Sequence, residues 1–195
     1  MLSSLSFLHK LWLKIKFGRR LMIASGVSIP WSTKFIIDRD SHIEICASAV
    51  IREFVELRAT RKSQLTLGED VKLDRLVRII ATNNKDISIG SRCRIGLGSV
   101  LNGGGSIFVG EKTLISGYVY LQTSMHEHKK ESDIIDSGYS YGDISIGEGA
   151  WIGAHAVIFP DVHLGDRVVV GSNAVVNQSF KAASLVGGIP AKELK

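Results

Sequence analysis

The sequence is poor in cysteine and proline and has no long apolar run. Its 195 residues include two cysteines, Cys46 and Cys93, which are too few for a disulfide framework and lack the CxxC spacing of many metal sites. We therefore expect reduced thiols in an intracellular compartment, with Cys93 in the core. No apolar stretch is long enough to cross a bilayer. At the start of the chain the charges follow the apolar residues, the reverse of a signal peptide.

What the sequence has instead is glycine and a strict six-residue repeat. From residue 146 to residue 181 it reads IGEGAW, IGAHAV, IFPDVH, LGDRVV, VGSNAV and VNQSFK. A large aliphatic residue opens each unit: Ile146, Ile152, Ile158, Leu164, Val170 and Val176. Six residues are too few for a helical or hairpin unit, so the pattern predicts a solenoid in which every unit forms one short strand and one turn.

Three such units close a triangular coil, so we expect Ile146 to stack on Leu164 and Ile152 on Val170, with about 4.8 Å between strands. The position two residues before each opening aliphatic should also point inward, and it holds the small residues Ala150, Ala156, Val162, Val168 and Ala174. Glycine follows the aliphatic residue in four units, where we expect a strained corner backbone: Gly147, Gly153, Gly165 and Gly171.

The same pattern extends upstream with longer steps. Coils begin at Ile45, Leu67, Ile89 and Val109, which are 22, 22 and 20 residues apart, so the corners there carry short insertions. We expect about five to seven coils over residues 27–181. An apolar content of 45% is sufficient for one such core, and no second core is evident.

The repeat resembles that of the hexapeptide-repeat acyltransferases, and three segments resemble their sugar O-acetyltransferases in particular. These are MHEH at 125–128, ISIGEGAWIGAH at 144–155 and VGGIPAK at 186–192. The resemblance implies an all-β fold, a left-handed parallel β-helix. Together with the repeat, it divides the chain into a basic helical arm at 1–26, a β-helix at 27–181 with a protruding loop at about 122–145, and a tail at 182–195.

The six-residue rhythm stops between residues 121 and 146, and such interruptions of a rigid scaffold are often functional. This segment holds His126 and His128. By the resemblance, His126 is the general base that deprotonates an acceptor hydroxyl, with His128 as the alternative. Glu127, His128 and Trp151 are implied for the acyl or acceptor pocket. A histidine suits the task because imidazole is largely neutral at cellular pH.

The resemblance also implies acetyl-CoA as co-substrate, no metal, and a homotrimer with its sites between subunits. The residues that match contacts to coenzyme A are Ala154, Ser172, Asn177, Gln178, Lys192 and Lys195. Many relatives have Thr-Lys where this chain has Asn177 and Gln178, so one expected cation is missing. Tyr118, Tyr120, Tyr139 and Tyr141 flank the loop and are candidates for stacking on sugar rings. The implied acceptor is a saccharide in capsule, exopolysaccharide or O-antigen biosynthesis in the cytoplasm.

The net charge of +5 belongs to the start of the chain, where six basic residues precede the first acidic residue, Asp38. Apolar residues there recur at steps of three and four, which predicts an amphipathic helix through Leu5, Leu8, Trp12 and Ile15. Two roles are open for it. It packs on the open end of the solenoid or on a neighbouring subunit, or residues 1–20 make a peripheral contact with the anionic inner face of the membrane.

Other functions compete with sugar O-acetylation. An N-acetyltransferase of an amino sugar or nucleotide sugar is the closest rival, although 26 residues before the coils are too few for the nucleotide-binding βαβ unit of the best-known type. A noncatalytic β-helix scaffold is the second. His155 and His163 lack the GHxxxxH spacing of γ-type carbonic anhydrases, which argues against zinc. The confinement of the excess basic residues to the arm argues against nucleic acid.

Overall fold

One α-helix and a series of strands of two to four residues form the fold. The computed structural model describes residues 2–128 and 133–194, with the backbone alone for residues 2–7. Helix α1 spans Leu2–Phe17, and 3₁₀ helices span Gly18–Arg20 and Ile134–Asp136. The strands are β1 Leu21–Ile23, β2 Lys34–Ile37, β3 His42–Ile45, β4 Val50–Ile51, β5 Glu56–Ala59, β6 Gln64–Leu67, β7 Lys72–Leu73, β8 Arg78–Ala81, β9 Ile87–Ile89, β10 Arg94–Ile95, β11 Val100–Gly103, β12 Ile107–Val109, β13 Leu114–Ile115, β14 Tyr120–Gln122, β15 Ser124–His126, β16 Tyr139–Tyr141, β17 Ile144–Ile146, β18 Trp151–Ile152, β19 Val157–Ile158, β20 His163–Leu164, β21 Val169–Val170, β22 Val175–Val176, β23 Leu185–Gly187 and β24 Lys192–Glu193.

Successive strands enter three different sheets, and the chain returns to each sheet once per coil. Sheet A has the order β1-β3-β6-β9-β12-β17-β20, sheet B has β4-β7-β10-β13-β18-β21-β23-β24, and sheet C has β2-β5-β8-β11-β14-β19-β22. Their strand pairs are parallel, apart from β23 with β24. The fold is therefore an all-β parallel solenoid of about seven coils, as predicted. We call the bends between sheets the A–B, B–C and C–A corners.

The register of the sheets matches the periodicity of the sequence. Ile146 pairs with Leu164 in sheet A, and Ile152 pairs with Val170 in sheet B, as predicted. The upstream coils stack in the same way, through Ile45, Leu67, Ile89 and Val109. The aliphatic residues thus form continuous ladders along the inner faces. The longer upstream steps are accommodated by strands of up to four residues and by longer corners.

Small and aliphatic side chains fill the space between the three sheets. The predicted second inward positions are all buried: Ala150, Ala156, Val162, Val168 and Ala174. Cys93 is buried in the same core, with its Sγ 3.0 Å from the carbonyl oxygen of Gly110. Burial raises the pKa of the Cys93 thiol. The thiol is therefore held in its neutral and weakly reactive form, as expected for a core cysteine.

The repeat glycines serve a different purpose from the predicted one. Positive φ falls two residues later, for example at His155 with a φ of 59° rather than at Gly153. A Cβ on Gly153 would lie 2.5 Å from the backbone nitrogen of Ser172, and one on Gly147 or Gly165 would meet the next coil at 2.5 or 2.4 Å. The expectation of a strained backbone at these glycines is wrong. At these three positions glycine is needed because neighbouring coils approach too closely for any side chain.

The coils extend past residues 27 and 181 at both ends. Strand β1 pairs with β3, with Leu21 opposite Ile43, so the first coil begins inside the segment assigned to the arm. At the other end β23 pairs with β21, and β24 folds back antiparallel on β23. The tail thus adds two strands, β23 and β24, to sheet B.

Helix α1 packs on the first coil through His9, Leu13 and Phe17, which are spaced four residues apart and are buried. The Nδ1 atom of His9 lies 3.3 Å from the carbonyl oxygen of Ile29. The imidazole of His9 also stacks on Trp31, with 4.2 Å between the ring centroids. The helix therefore covers the open end of the apolar core, which is one of the two roles that the sequence left open.

The face of α1 that covers the core is not the stripe identified in the sequence. Leu8, Trp12 and Ile15 are exposed, and the side chain of Leu5 lies outside the described residues. The packing face was missed in the sequence because it passes through His9. A polar residue at that position interrupts the apolar pattern by which an amphipathic helix is recognised. Within the described residues, no helix is long and apolar enough to cross a membrane.

Candidate active site

A β-hairpin leaves the solenoid at the C–A corner, where the repeat is interrupted. It consists of β15 and β16, which pair antiparallel with His126 opposite Tyr139. Its base is fixed to the preceding coil, since the Thr123 hydroxyl donates to the carbonyl oxygen of Asn102 at 2.6 Å. The amide of Gly142 closes the hairpin on the carbonyl oxygen of Thr123 at 3.0 Å. The expected loop therefore begins and ends as ordered structure.

A glycine run on the preceding coil makes room for this hairpin. A Cβ on Gly104 would lie 2.6 Å from ring atoms of Tyr141 and 3.2 Å from the Cβ of Ser124. A Cβ on Gly105 would lie 2.3 Å from the carbonyl oxygen of Gly142. Any larger residue at these two positions would push the hairpin off the coil, so the glycines set the position of its strands.

His126 ends β15 with its ring against Tyr139. The ring centroids are 4.2 Å apart with an interplanar angle of 41°, and Tyr139 in turn stacks on Tyr141 at 6.3 Å. All three side chains are exposed. The imidazole is thus supported by an aromatic row and remains accessible to a ligand.

The other predicted residues of this segment lie beside His126. The amide of Glu127 donates to the carbonyl oxygen of Gly138 at 3.1 Å, which continues the hairpin ladder by one step. The side chain of Glu127 is half-buried, and His128 is exposed just beyond the strand. The rest of the segment up to residue 132 lies outside the described residues.

Trp151 lies on the outer face of sheet B, and its side chain is 50% exposed. Its neighbours in the sheet are Leu114 on one coil and Val169 on the next. The indole Nε1 donates to the hydroxyl of Ser116 at 3.1 Å, which fixes the orientation of the ring. An oriented, half-exposed indole is suited to contact another molecule.

Three of the residues assigned to coenzyme A lie along the B–C corner. Ala154 and Ser172 occupy equivalent positions on successive coils, and the amide of Asn173 donates to the carbonyl oxygen of Ala154 at 2.9 Å. Lys192 lies opposite Gly187 at the end of sheet B nearest this corner, and it is exposed. The corner therefore presents small side chains with a cation at its C-terminal end.

Two of the remaining three, Asn177 and Gln178, are not on this corner. Asn177 and Gln178 follow β22 and so lie towards the C–A corner, on the far side of sheet C. The side-chain amide of Gln178 donates to the carbonyl oxygen of Ala191 at 3.3 Å, which ties it to the tail. Lys195 lies outside the described residues.

The topology separates the predicted site into two halves. The His126 hairpin projects from the C–A corner, whereas Trp151 lies on sheet B and Ala154 on the B–C corner. In a triangular section, sheet B is the side opposite the C–A corner. A single chain therefore does not bring His126 and Trp151 together.

Two segments of the solenoid match hexapeptide repeats of bacterial transferases. The family described as Bacterial transferase hexapeptide (six repeats) matches residues 143–178, and the Hexapeptide repeat of succinyl-transferase matches residues 86–122. Over these two segments the chain is similar to the hexapeptide-repeat transferases. The first match begins within the predicted loop, three residues before the run at Ile146.

Curated relatives of this hexapeptide-repeat protein are acetyltransferases. Chloramphenicol acetyltransferase from Morganella morganii is 31% identical over 126 residues, which are 63% of this chain and 58% of that protein. The putative lipopolysaccharide biosynthesis O-acetyl transferase WbbJ from Escherichia coli K12 is 32% identical over 98 residues, 46% of this chain and 50% of that protein. The chain thus spans between half and three fifths of the length of these relatives.

Among solved structures, AntD from Bacillus cereus has a similar fold. AntD is an N-acyltransferase, crystallised with dTDP and 3-hydroxybutyryl-CoA, and it aligns with a TM-score of 0.65 at 20% identity over 95% of this chain and 87% of that chain. At this identity the similarity concerns the fold alone.

The site of this hexapeptide-repeat protein contains two contacts that the sequence did not reveal. Tyr139 was a candidate for stacking on a sugar, but in the structure its ring contacts His126. The contact of Gly104 with Tyr141 was not foreseen, although the run NGGG at 102–105 was a signal for it. No sequence signal joined Tyr139 to His126, because the two are brought together only by the hairpin register.

We searched the part of the chain that the structure describes for side chains that could bind a metal ion together. There, no group of three or more His, Cys, Asp or Glu residues is placed to hold a metal ion. His155 stacks on Tyr118 at 5.2 Å at the B–C corner, whereas His163 lies on the outer face of sheet A. A shallow groove of about 670 Å³ beside His163, lined also by Phe108 and Phe180, lies on that same face.

Proposed function

We propose that the protein is an acetyl-CoA-dependent O-acetyltransferase that transfers an acetyl group to a hydroxyl of a saccharide. The observation that carries the proposal is the placement of His126. Its imidazole is exposed, yet it is held by the ladder of a hairpin and by the ring of Tyr139 at 4.2 Å. A general base must be both accessible to its proton and fixed in position.

In the proposed reaction His126 accepts the proton of the acceptor hydroxyl as its oxygen attacks the thioester carbonyl carbon. A carbon–oxygen bond forms, and the carbonyl oxygen takes up the negative charge of a tetrahedral intermediate. The intermediate collapses with cleavage of the carbon–sulfur bond. The imidazolium returns the proton to the departing thiolate of coenzyme A, so the histidine leaves the cycle unchanged and no covalent enzyme intermediate is needed.

The B–C corner fits the co-substrate. A pantetheine arm is narrow and carries two amides, and it needs a surface without large side chains and with backbone groups along its length. Ala154 and Ser172 provide small side chains on successive coils, and Lys192 provides a cation for the nucleotide phosphates. Gln178 is engaged with Ala191 and fits this role poorly, so we leave it and Asn177 out of the proposed contacts.

A homotrimer completes the proposed site. Rotation about a threefold axis places the C–A corner of one subunit against sheet B of the next. His126 of one chain then meets Trp151 and the B–C corner of its neighbour, which a single chain cannot achieve. The exposed apolar residues of sheet B, including Leu114, Trp151 and Leu185, support an interface there.

The choice of a saccharide hydroxyl rests on the family resemblance and on WbbJ, which is described as a putative lipopolysaccharide biosynthesis O-acetyl transferase. We propose surface-polysaccharide assembly on the cytoplasmic side as its setting. N-acetylation of an amino sugar or nucleotide sugar is the main alternative. A similar fold occurs in AntD, which is described as an N-acyltransferase and was crystallised with dTDP-4-amino-4,6-dideoxyglucose and coenzyme A.

The test is release of free coenzyme A from acetyl-CoA with a panel of neutral sugars, oligosaccharides, amino sugars and nucleotide-activated sugars. We expect turnover with a hydroxyl acceptor and a product whose acetyl group is removed by mild alkali, as for an ester. An alkali-stable product would show an amide and favour N-acetylation. No acceptor-dependent turnover, with His126→Ala binding acetyl-CoA as the wild type does, would favour a noncatalytic scaffold.

Mixed trimers test the shared site. His126→Ala and Trp151→Ala chains are unfolded and refolded together in equal amounts. If each site combines His126 of one subunit with Trp151 of the next, about one quarter of the sites in a random mixture are intact. Activity well above that of either variant alone is expected. Activity no higher than their average would contradict a site between subunits.

A further inference from the structure

Helix α1 carries an apolar ridge that is exposed to solvent, with Trp12 at the edge nearest the coils, where its ring centroid is 6.2 Å from that of Trp31. The ridge consists of Leu8, Leu11, Trp12 and Ile15, which are 56, 44, 46 and 76% exposed. Four large apolar residues on two turns of one helix are rarely left in contact with water, so such a patch marks a surface that binds another molecule. The question is what covers the ridge.

The ridge and the packing face lie on nearly opposite sides of α1. At 3.6 residues per turn, the centre of the ridge is about 150° around the helix from the centre of the face formed by His9, Leu13 and Phe17. Those three side chains are buried against the first coil. The ridge therefore cannot reach the core of its own chain while the helix stays docked.

The charges beside the ridge are all of one sign. Lys14 lies on one flank of the ridge and Lys16 on the other, and both are exposed. The Nζ atom of Lys16 lies 4.7 Å from the ring centroid of Trp12, so cation and indole form one surface. No acidic residue occurs before Asp38 in the sequence. The ridge is thus apolar in its middle and cationic at its edges.

We propose that this ridge docks on the surface of an anionic lipid bilayer, with α1 lying parallel to the membrane plane. An apolar strip bordered by lysines fits an interface in which acyl chains lie below a layer of negative headgroups. Tryptophan is favoured at that boundary because its indole is apolar with one polar edge. A second copy of the ridge is a poorer occupant, because both helices would bring lysines to the edges of the contact and neither has an acidic residue to pair with them.

The docking of α1 on the coil is compatible with this contact. His9 holds the helix to the first coil through Ile29 and Trp31, and Arg20 just after it donates to the carbonyl oxygen of Ile37 at 3.1 Å. The helix therefore binds lipid without leaving the core that it covers. In the proposed trimer all three ridges lie at the same end of the assembly, so their weak individual affinities combine.

Flotation of the full chain with vesicles tests the proposal. We expect the wild type to float with phosphatidylcholine vesicles that contain phosphatidylglycerol and to float at least tenfold less with phosphatidylcholine alone. The variant Leu8→Gln with Ile15→Gln should lose at least 90% of the bound fraction, because both side chains are exposed and their loss leaves the core intact. Its matched control is Met22→Gln, which removes a half-exposed apolar side chain from sheet A.

A second flotation experiment removes charge instead of apolar surface. The variant Lys14→Gln with Lys16→Gln should reduce binding to anionic vesicles, whereas Lys62→Gln with Arg92→Gln removes the same charge from exposed corners of the coils and should not. Flotation of the Leu8→Gln, Ile15→Gln variant at the wild-type level would overturn the proposal. So would a change in its sedimentation coefficient without lipid, since that would show a ridge covered by protein. These readouts need no enzymatic activity, so they stand or fall independently of the proposed function.

Discussion

The N-terminal and C-terminal coils share one interior but have different exteriors. Of the nine ion pairs among the described residues, seven join residues between 34 and 94. On sheet C, Glu56 accepts from Lys34, Arg58 and Arg78 at 3.0 to 3.3 Å. Asp70, at the A–B corner, lies 3.1 Å from Arg94 and 3.9 Å from Lys72, which are both on sheet B. In the N-terminal coils, the outward charges of these columns are thus paired within the chain.

The same outer column of sheet B changes character after Arg94. It continues through Leu114, Trp151, Val169 and Leu185, of which the first, second and fourth are exposed. The aliphatic ladders inside are unchanged across this boundary. The repeat therefore specifies the interior in every coil. The outward positions of sheet B differ, because they are paired with opposite charges in the N-terminal coils and are mostly apolar and exposed in the C-terminal coils.

Replacing His126 by alanine should have the largest effect of the variants considered. We expect the catalytic rate to fall about 1,000-fold, since the general base is lost, with no change in melting temperature because the side chain is exposed. His128→Ala is the control and should retain most of the activity. A larger loss with His128→Ala than with His126→Ala would exchange their roles. Equal activity in the wild type and in both variants would show that neither histidine takes part in the reaction.

The shared interior predicts equal sensitivity of the two halves to a Cβ between coils. Gly68→Ala in the N-terminal coils and Gly153→Ala in the C-terminal coils would each place a methyl group within 2.7 Å of backbone on the next coil. Both should lower the free energy of unfolding by about 2 kcal/mol, measured by denaturant titration. Gly171→Ala is the control, since its nearest neighbour would be at 3.4 Å. Marked loss in only one half would contradict a common interior.

The contrasting exteriors predict that only sheet B of the C-terminal coils holds an assembly together. The variant Leu114→Gln with Leu185→Gln should weaken the proposed trimer at least tenfold, because it removes exposed apolar contact area. Sedimentation velocity over a range of concentrations measures this. Lys72→Gln is the control on the same column of the N-terminal coils. Equal dissociation of both variants would show that sheet B contributes to the assembly in the N-terminal coils as much as in the C-terminal coils.

The smallest expected effect concerns Glu56. Burial by itself raises the pKa of this carboxyl, but the hydrogen bond from Lys34 and the charges of Arg78 and Arg58 outweigh it, and the pKa is lowered from 4.5. The ionised group therefore stabilises the fold above pH 4.5, and this contribution is lost as the pH falls through the folded-state pKa. Glu56→Gln should cost about 1 kcal/mol at pH 7.

Thermal unfolding at several pH values checks that prediction. The difference between Glu56→Gln and the wild type should shrink as the solution is acidified below pH 4.5. A constant difference across the range would show that side-chain packing, not charge, is responsible.

The coils and their register could be predicted from the sequence because they depend on the spacing of the aliphatic residues. Stacking of Ile146 on Leu164 needs only a period and a coil of three units, and the structure has that register. The packing face of α1 was missed because it passes through His9, which is polar by composition but buried here. The role of Gly153 was misjudged because the approach of Ser172 is a distance between coils, which local sequence does not record.

The sequence alone determined the number of sheets, the register of the coils and the place where the repeat is interrupted, because these follow from the linear order of large, small and glycine residues. Only the tertiary structure decided that His126 lies against Tyr139 and that it is separated from Trp151 by the width of the solenoid. It also decided which side of α1 faces outward. These depend on how the chain turns at each corner, and a period of six residues is the same whichever corner carries the hairpin.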